Sequence, residues 1–219
     1  MDADASGPTY TGLAWTTAFT NVQDALAASV ATPCTIWVAE GVYYPDEGAG
    51  QTDNAPASTF ALQDGVEIYG GFAATETLRT QRDWMANITV LSGDLDGNDP
   101  ADPHGVVTAT SNITGSNAYH VVTGSGVTET AVLDGFTITA GHANGSEYPQ
   151  YMGGGMYNDT SSPTVENVTF SANLAGGASS GCGGGGMYNY DSDPTLRDVT
   201  FRANQASGTG ATCGGGGMY

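Results

Sequence analysis

Lysine is absent from this chain of 219 residues, and its only fixed positive charges are Arg79, Arg82, Arg197 and Arg202. Against 23 aspartates and glutamates they leave a net charge of −19. Such a surface repels nucleic acid and anionic membranes, and it disfavours a site that grips an acidic polysaccharide by its carboxylates. Long apolar runs are missing too. No window approaches the roughly 18 apolar residues of a membrane-crossing helix, so no direct membrane insertion is expected of this segment. Met1 to Gly7 has neither the basic start nor the apolar core of a signal peptide. That leaves a cytosolic protein, or a secreted one in mature or trimmed form. The Thr-, Asn- and Gly-rich β pattern without lysine favours an extracellular or cell-surface setting. Gly-x-Ser-x-Gly, phosphate-loop and dinucleotide motifs are also lacking, since the glycine runs precede strands rather than helices. His104, His120 and His142 lack metal-ligand spacing, so zinc is not expected.

What the chain does have is a repeat. Gly153-Gly-Gly-Met-Tyr-Asn158 returns from Gly183 to Asn189 and again from Gly214 to Tyr219, with Met156, Met187 and Met218 spaced by 31 residues. Between these signatures run two matching segments, Ser162 to Asn173 and Asp193 to Asn204. A fixed period filled with short alternating strands specifies a stack of coils. The alignment sets Leu133 with Val165 and Leu196, Phe136 with Val168 and Val199, and Ile138 with Phe170 and Phe201. Alternation points these residues inward and the intervening threonines outward. Asn173 and Asn204 are expected in the turn ending this strand, tolerating left-handed backbone and hydrogen-bonding up a ladder. The glycine runs are read as tight corners needing positive φ. Only three cysteines are present. Cys182 and Cys213 lie one period apart, hence roughly 4.8 Å from each other in stacked coils. That spacing suits either a disulfide or a ladder of two small buried thiols. Cys34 has no visible partner and reads as a buried apolar residue.

The plan is a single domain. Residues 1–33 form an N-terminal cap with a helix over 16–30, capped by Thr16 or Thr17, with Phe19, Val22, Ala25, Leu26 and Val30 on one face and Pro33 beyond its end. Residues 34–130 form irregular coils with strands near 35–39, 41–44, 60–62, 66–69, 89–91 and 120–123. Long connections at 45–58, 73–87 and 93–118 are the natural places for a site. Residues 131–219 form regular coils of about 31 residues, expected to continue beyond this segment.

The densest acidic stretch is Gly93 to Asp102. Asp94, Asp96 and Asn98 alternate as oxygen donors do in calcium loops, with Asp99 and Asp102 close behind. Gly97 is misplaced for an EF-hand, and no glutamate stands at its twelfth position. The alternatives are a looser calcium site and a turn in which Asp and Asn satisfy backbone donors. Asp134, Asn167 and Asp198 read as an Asn/Asp turn ladder rather than a catalytic carboxylate pair. Tyr157, Tyr188 and Tyr219 repeat in register beside the methionines. With Met inside they form an outward aromatic ladder, suited to stacking or to binding a sugar or partner. Sequons at Asn87, Asn112, Asn144, Asn158 and Asn167 arise from composition.

Gly154-Gly-Met-Tyr157 and Gly185-Gly-Met-Tyr188 resemble the Gly-Gly-Ala-Ile element of polymorphic membrane protein repeats. Phe170-Ser-Ala-Asn173 and Phe201-Arg-Ala-Asn204 resemble the Phe-x-x-Asn element paired with it. The opening, with Trp37 to Pro45, Tyr69-Gly-Gly-Phe72 and Leu91-Ser-Gly-Asp94, is similar to the first coils of large secreted bacterial β-helix proteins. The resemblance implies an all-β, right-handed parallel β-helix of the pectin-lyase-like class, serving as a surface adhesin or structural stalk. An unpaired strand edge on the last coil invites association with copies of itself, and the tyrosine ladder suits surface glycans as partners. No membrane barrel or sorting domain follows the repeats here. A carbohydrate-binding or polysaccharide-cleaving module is the alternative. A groove beside 93–118 holding two carboxylates and an arginine favours that alternative, whereas a flat Thr/Asn/Tyr face favours the scaffold.

Overall fold

The computed structural model describes residues 1–7, 9–29, 34–176, 183–207 and 214–219. Val30 and Pro33, expected at the helix end, and Cys182 and Cys213, expected as a disulfide or thiol ladder, lie outside the described residues.

The helix α1 spans Val22–Ser29. It is shorter than the apolar spacing suggested, because the start signal lies at Asn21 and not at Thr16 or Thr17. The Asn21 side-chain oxygen accepts the Asp24 N–H at 2.8 Å, while its amide donates to the Asp24 carboxylate. This reciprocal cap fixes the first turn. Trp15–Thr17 form a separate 3-10 turn. Val22, Ala25 and Leu26 are buried against Ile36 and Val38 of the first coil, so the helix covers that end of the core.

Every strand after α1 pairs in parallel with a neighbouring coil. The first coils contain β1 (Cys34–Ala39), β2 (Gly41–Tyr43), β3 (Phe60–Ala61), β4 (Val66–Phe72) and β5 (Thr89–Ser92). The next holds β6 (Val122–Ser125), β7 (Val132–Asp134), β8 (Thr137–Thr139) and β9 (His142–Ala143). A full repeat follows in β10 (Met156–Asp159), β11 (Thr164–Glu166), β12 (Thr169–Ser171) and β13 (Leu174–Ala175). The last set is β14 (Met187–Tyr190), β15 (Thr195–Arg197), β16 (Thr200–Arg202) and β17 (Gln205–Ala206). Two five-stranded sheets, β1-β4-β7-β11-β15 and β2-β5-β8-β12-β16, run the length of the stack. Two shorter ones, β3-β6-β10-β14 and β9-β13-β17, close the coils. The protein is an all-β parallel β-solenoid with one N-terminal helix.

Side-chain columns fill the interior. Ile138, Phe170 and Phe201 align, with the two phenyl rings stacked at 4.9 Å and 8°. Met156 pairs with Met187, and Met187 bridges to Met218. Met156 and Met187 are fully buried, whereas Met218 is 47 % exposed at the end of the described stack. Cys34 is free and half-buried, packed on the core edge.

The corners recur in register, and here the sequence reading needs correction. The left-handed residue of the strand-ending turn is alanine, not asparagine: Ala140, Ala172 and Ala203 have φ of 60°, 51° and 52°. Asn173 follows with its side chain turned inward and fully buried. The glycine runs contribute one left-handed residue each, such as Gly184 at φ 59°. Their other glycines answer close approach: a Cβ on Gly186 would stand 2.5 Å from the Gly217 carbonyl oxygen and 2.8 Å from the Phe201 ring. Asp134 does not share a column with Asn167 and Asp198. It pairs with Glu166, and the left-handed column is Gly135, Asn167 and Asp198.

Candidate functional site

The sheet β2-β5-β8-β12-β16 lines a groove of about 560 Å³. Thr137 and Thr169 with Asn167 form its floor, Thr89 is buried beneath with its hydroxyl bonded to the Gly71 N–H and the Ala39 carbonyl, and Asp198 and Arg202 stand at the far end. Two loops wall it in. The connection after β4 supplies Trp84 and Met85, the latter 82 % exposed. The connection after β5 supplies Asp102 and His104.

Trp84 is braced from behind. The Arg82 guanidinium lies 4.8 Å from its ring centroid and 4.9 Å from that of Tyr69. Arg82 also pairs with Asp134 at 2.5 Å, both side chains under 10 % exposed, and donates to the Gly70 carbonyl. Asp134 in turn accepts from the Asn167 amide at 2.9 Å. This network ties the wall loop to the groove floor.

The acidic stretch is organised by its own backbone. Asp94 accepts N–H bonds from Asn98 and Asp99 at 3.1 Å each. Asp96 accepts from the Asn98 amide at 2.8 Å and from the Ser116 N–H at 3.1 Å. Asp99 accepts from Thr114 N–H at 2.6 Å and from the Asn117 amide at 2.7 Å. Asp102 accepts from the His104 and Val106 N–H groups at 2.9 and 3.0 Å. Asp94 and Asp99 are therefore brought together at the base of the loop, whereas Asp102 is separated from them and orders the groove wall. Among the described residues, no group of three or more His, Cys, Asp or Glu is placed to hold a metal ion. The spacing of the carboxylates gave no hint of Asn117, Trp84 or His104, which join these places only through the fold.

A second surface lies on the sheet β3-β6-β10-β14. Tyr157 stacks on Tyr188 at 5.9 Å, and Tyr188 on Tyr219 at 5.3 Å, all within 10° of parallel. Tyr148 covers the first ring, its hydroxyl 2.7 Å from that of Tyr157. Burial, and then the hydrogen bond with Tyr148, push the Tyr157 phenol well above the usual tyrosine range. Tyr190, at 46 % exposure, lies edge-on to Tyr148. His120 stacks on Tyr157 at 5.2 Å, with Nδ1 3.1 Å from the Gly153 carbonyl oxygen. It precedes β6 rather than lying in the strand. Asn158 of β10 is fully buried, which removes its sequon from use.

No described helix is long and apolar enough to cross a membrane. No family model matches this chain, and no curated protein or solved structure matches it either.

Proposed function

We propose that the protein is an extracellular adhesive scaffold that binds neutral polysaccharide in the groove between the Trp84 and His104 walls. The observation that carries this reading is the groove itself. An exposed indole, held in place by Arg82, stands over a floor lined by Thr137, Thr169 and the side chain of Asn167, whose amide also donates to Asp134. Saccharides are recognised by such pairing of an aromatic face with fixed hydroxyl and amide groups. The solenoid supplies rigidity, since each coil is locked to the next by stacked side chains. The charge of −19 directs the choice toward uncharged sugars.

Cleavage is the second reading, favoured by the presence of Asp102, Asp198 and Arg202 in one groove. Asp102 is already engaged by two backbone N–H groups, which suits a structural carboxylate better than a proton carrier. Calorimetry against a panel of neutral and acidic polysaccharides, with an assay for new reducing ends, tests both. Binding of neutral chains that Trp84→Ala abolishes, without new ends, is the expected result. New ends lost in Asp198→Asn establish cleavage, and no binding across the panel rejects the groove.

A further inference from the structure

The outer face of the sheet β3-β6-β10-β14 carries an aromatic cluster that the groove does not use. Both faces of the Tyr157 ring are covered, by His120 at 5.2 Å from the preceding coil and by Tyr188 at 5.9 Å from the following one. Tyr148 and Tyr190 differ, because each is about half exposed to solvent. Tyr148, from the connection before β10, stands at 73° to Tyr190 and at 72° to Tyr151, with ring centroids 6.1 and 6.4 Å apart. Rings near a right angle at such a separation are related as adjacent walls of an aromatic cage, in which a cation about 4.5 Å from each centroid touches both.

The second observation is charge. Asp159 is the register partner of Tyr190 where β10 pairs with β14, so a carboxylate stands one coil from that ring. Burial raises the Tyr157 phenol first, and the Asp159 charge adds to the rise. Glu147 precedes Tyr148 and Asp191 follows Tyr190, both exposed. The four arginines that are the chain's only fixed cations are engaged elsewhere. Arg79 pairs with Glu67, Arg82 with Asp134 and Arg197 with Glu166, while Arg202 donates to the Ser171 hydroxyl. Where the protein does set arginine over aromatic rings, at Tyr69 and Trp84, the distances to the centroids are 4.4, 4.9 and 4.8 Å. The Tyr148 cluster combines aromatic rings and carboxylates without such an occupant among the described residues.

We propose that Tyr148, Tyr151 and Tyr190, with Asp159 beside them, bind a quaternary ammonium group. Such a group has no N–H to donate, so ring faces replace its water at little cost, and the carboxylates attract it from longer range. A primary ammonium is a compact charge held more strongly by water. The Tyr148 hydroxyl is already paired with that of Tyr157, which leaves its ring face as the means of recognition and favours a cation over a sugar here. The cluster lies on a different sheet from the groove, so either site can fail while the other stands.

The test is titration of the whole chain with choline chloride and tetramethylammonium chloride, followed by calorimetry and tyrosine fluorescence. The controls are sodium chloride and the alcohol in which a quaternary carbon replaces the nitrogen of choline. Both quaternary cations should bind with a millimolar or lower Kd, and neither control should bind. Tyr148→Ala should weaken binding about tenfold, whereas Tyr148→Phe, which keeps the ring, should stay within about threefold of the parent. Asp159→Asn should weaken it about threefold in dilute buffer and by less at high salt. Tyr190→Ala, at the end of its strand, repeats the test if Tyr148→Ala lowers Tm. Choline binding with pelleting on phosphatidylcholine vesicles supports a lipid headgroup as the source, and choline binding without pelleting supports a free or polymer-borne group. Equal binding of the uncharged alcohol, full binding in both alanine variants, or no binding of either cation overturns the proposal.

Discussion

The side chain of Asn173 is linked to that of Asn204 in the next coil, Nδ2 donating to Oδ1 at 3.0 Å within the solenoid interior. The same Oδ1 also accepts the Asn173 backbone N–H at 2.9 Å. In the other direction, Asn173 donates to the Ile138 carbonyl and accepts from the Gly141 N–H. Three successive coils are therefore joined through one amide. Asn173→Leu has similar bulk but leaves these partners buried and unpaired. The loss should be about 2–4 kcal/mol, which lowers Tm by roughly 5–15 °C for a chain of this size. Circular dichroism melting checks it, and a Tm within 1–2 °C of the parent would contradict the role.

Arg82 and Asp134 offer a different case, a charge pair in place of an amide ladder. Removing Arg82 leaves Asp134 buried with only the Asn167 amide and no cation. Arg82→Met should cost about 3–5 kcal/mol and release Trp84 from its cation–π contact. Asp134→Asn leaves Arg82 buried without its carboxylate and sets an NH2 against one of the two donors, so it should cost a similar amount. Adding Asp134→Asn to Arg82→Met should recover part of the loss. Urea midpoints of the three variants test the order.

Much of this was legible in the residues, and the reason is periodicity. Leu133, Val165 and Leu196 could be set in register because each coil repeats the last, and any one-residue slip would turn the apolar set outward. The corners were harder to place. Asn173 looked like the left-handed residue because asparagine tolerates that conformation, but its value as an interior hydrogen-bonder prevailed and the strain fell on Ala172. The helix was overextended because Phe19 fits the apolar spacing, while the Asn21–Asp24 cap that sets its start is a two-residue signal. The groove was not legible at all. Trp84 and His104 come from loops separated by β5, and the floor beneath them is gathered from later coils. Only the stacking of coils brings them together, as it also brings Asn117 to Asp99.

The alanine corners imply an unusual substitution effect. Ala203 has φ 52° and lies exposed at its corner. A left-handed alanine is strained by about 1–2 kcal/mol, while glycine adds about 0.5–1 kcal/mol of chain entropy cost. Ala203→Gly should accordingly stabilise slightly, raising Tm by about 1–3 °C. Gly184→Ala should do the reverse and more strongly, because φ is 59° and the new Cβ would collide with the Met187 carbonyl. Differential scanning calorimetry of both variants distinguishes corner strain from a general intolerance of mutation.

Stability should also fall with acid through His120. Burial holds its imidazole down to about 4 in the folded chain, although the bond to the Gly153 carbonyl acts in the opposite sense. The unfolded chain takes up that proton near pH 6.5. A base whose folded pKa is depressed binds its proton preferentially when unfolded, so its stabilising contribution is present above pH 6.5 and is lost between 6.5 and about 4. His142, pushed down by burial as well, adds to the same slope. Replacing His120 by Asn keeps a donor near the Gly153 carbonyl but removes the titration. The pH dependence of the unfolding midpoint should flatten across this window in His120→Asn, while the midpoint at pH 8 shifts by less than the parent loses on going from pH 7 to pH 5. An unchanged slope would mean that the imidazole is as accessible to protons in the folded chain as in the unfolded one, contrary to its packing against Tyr157.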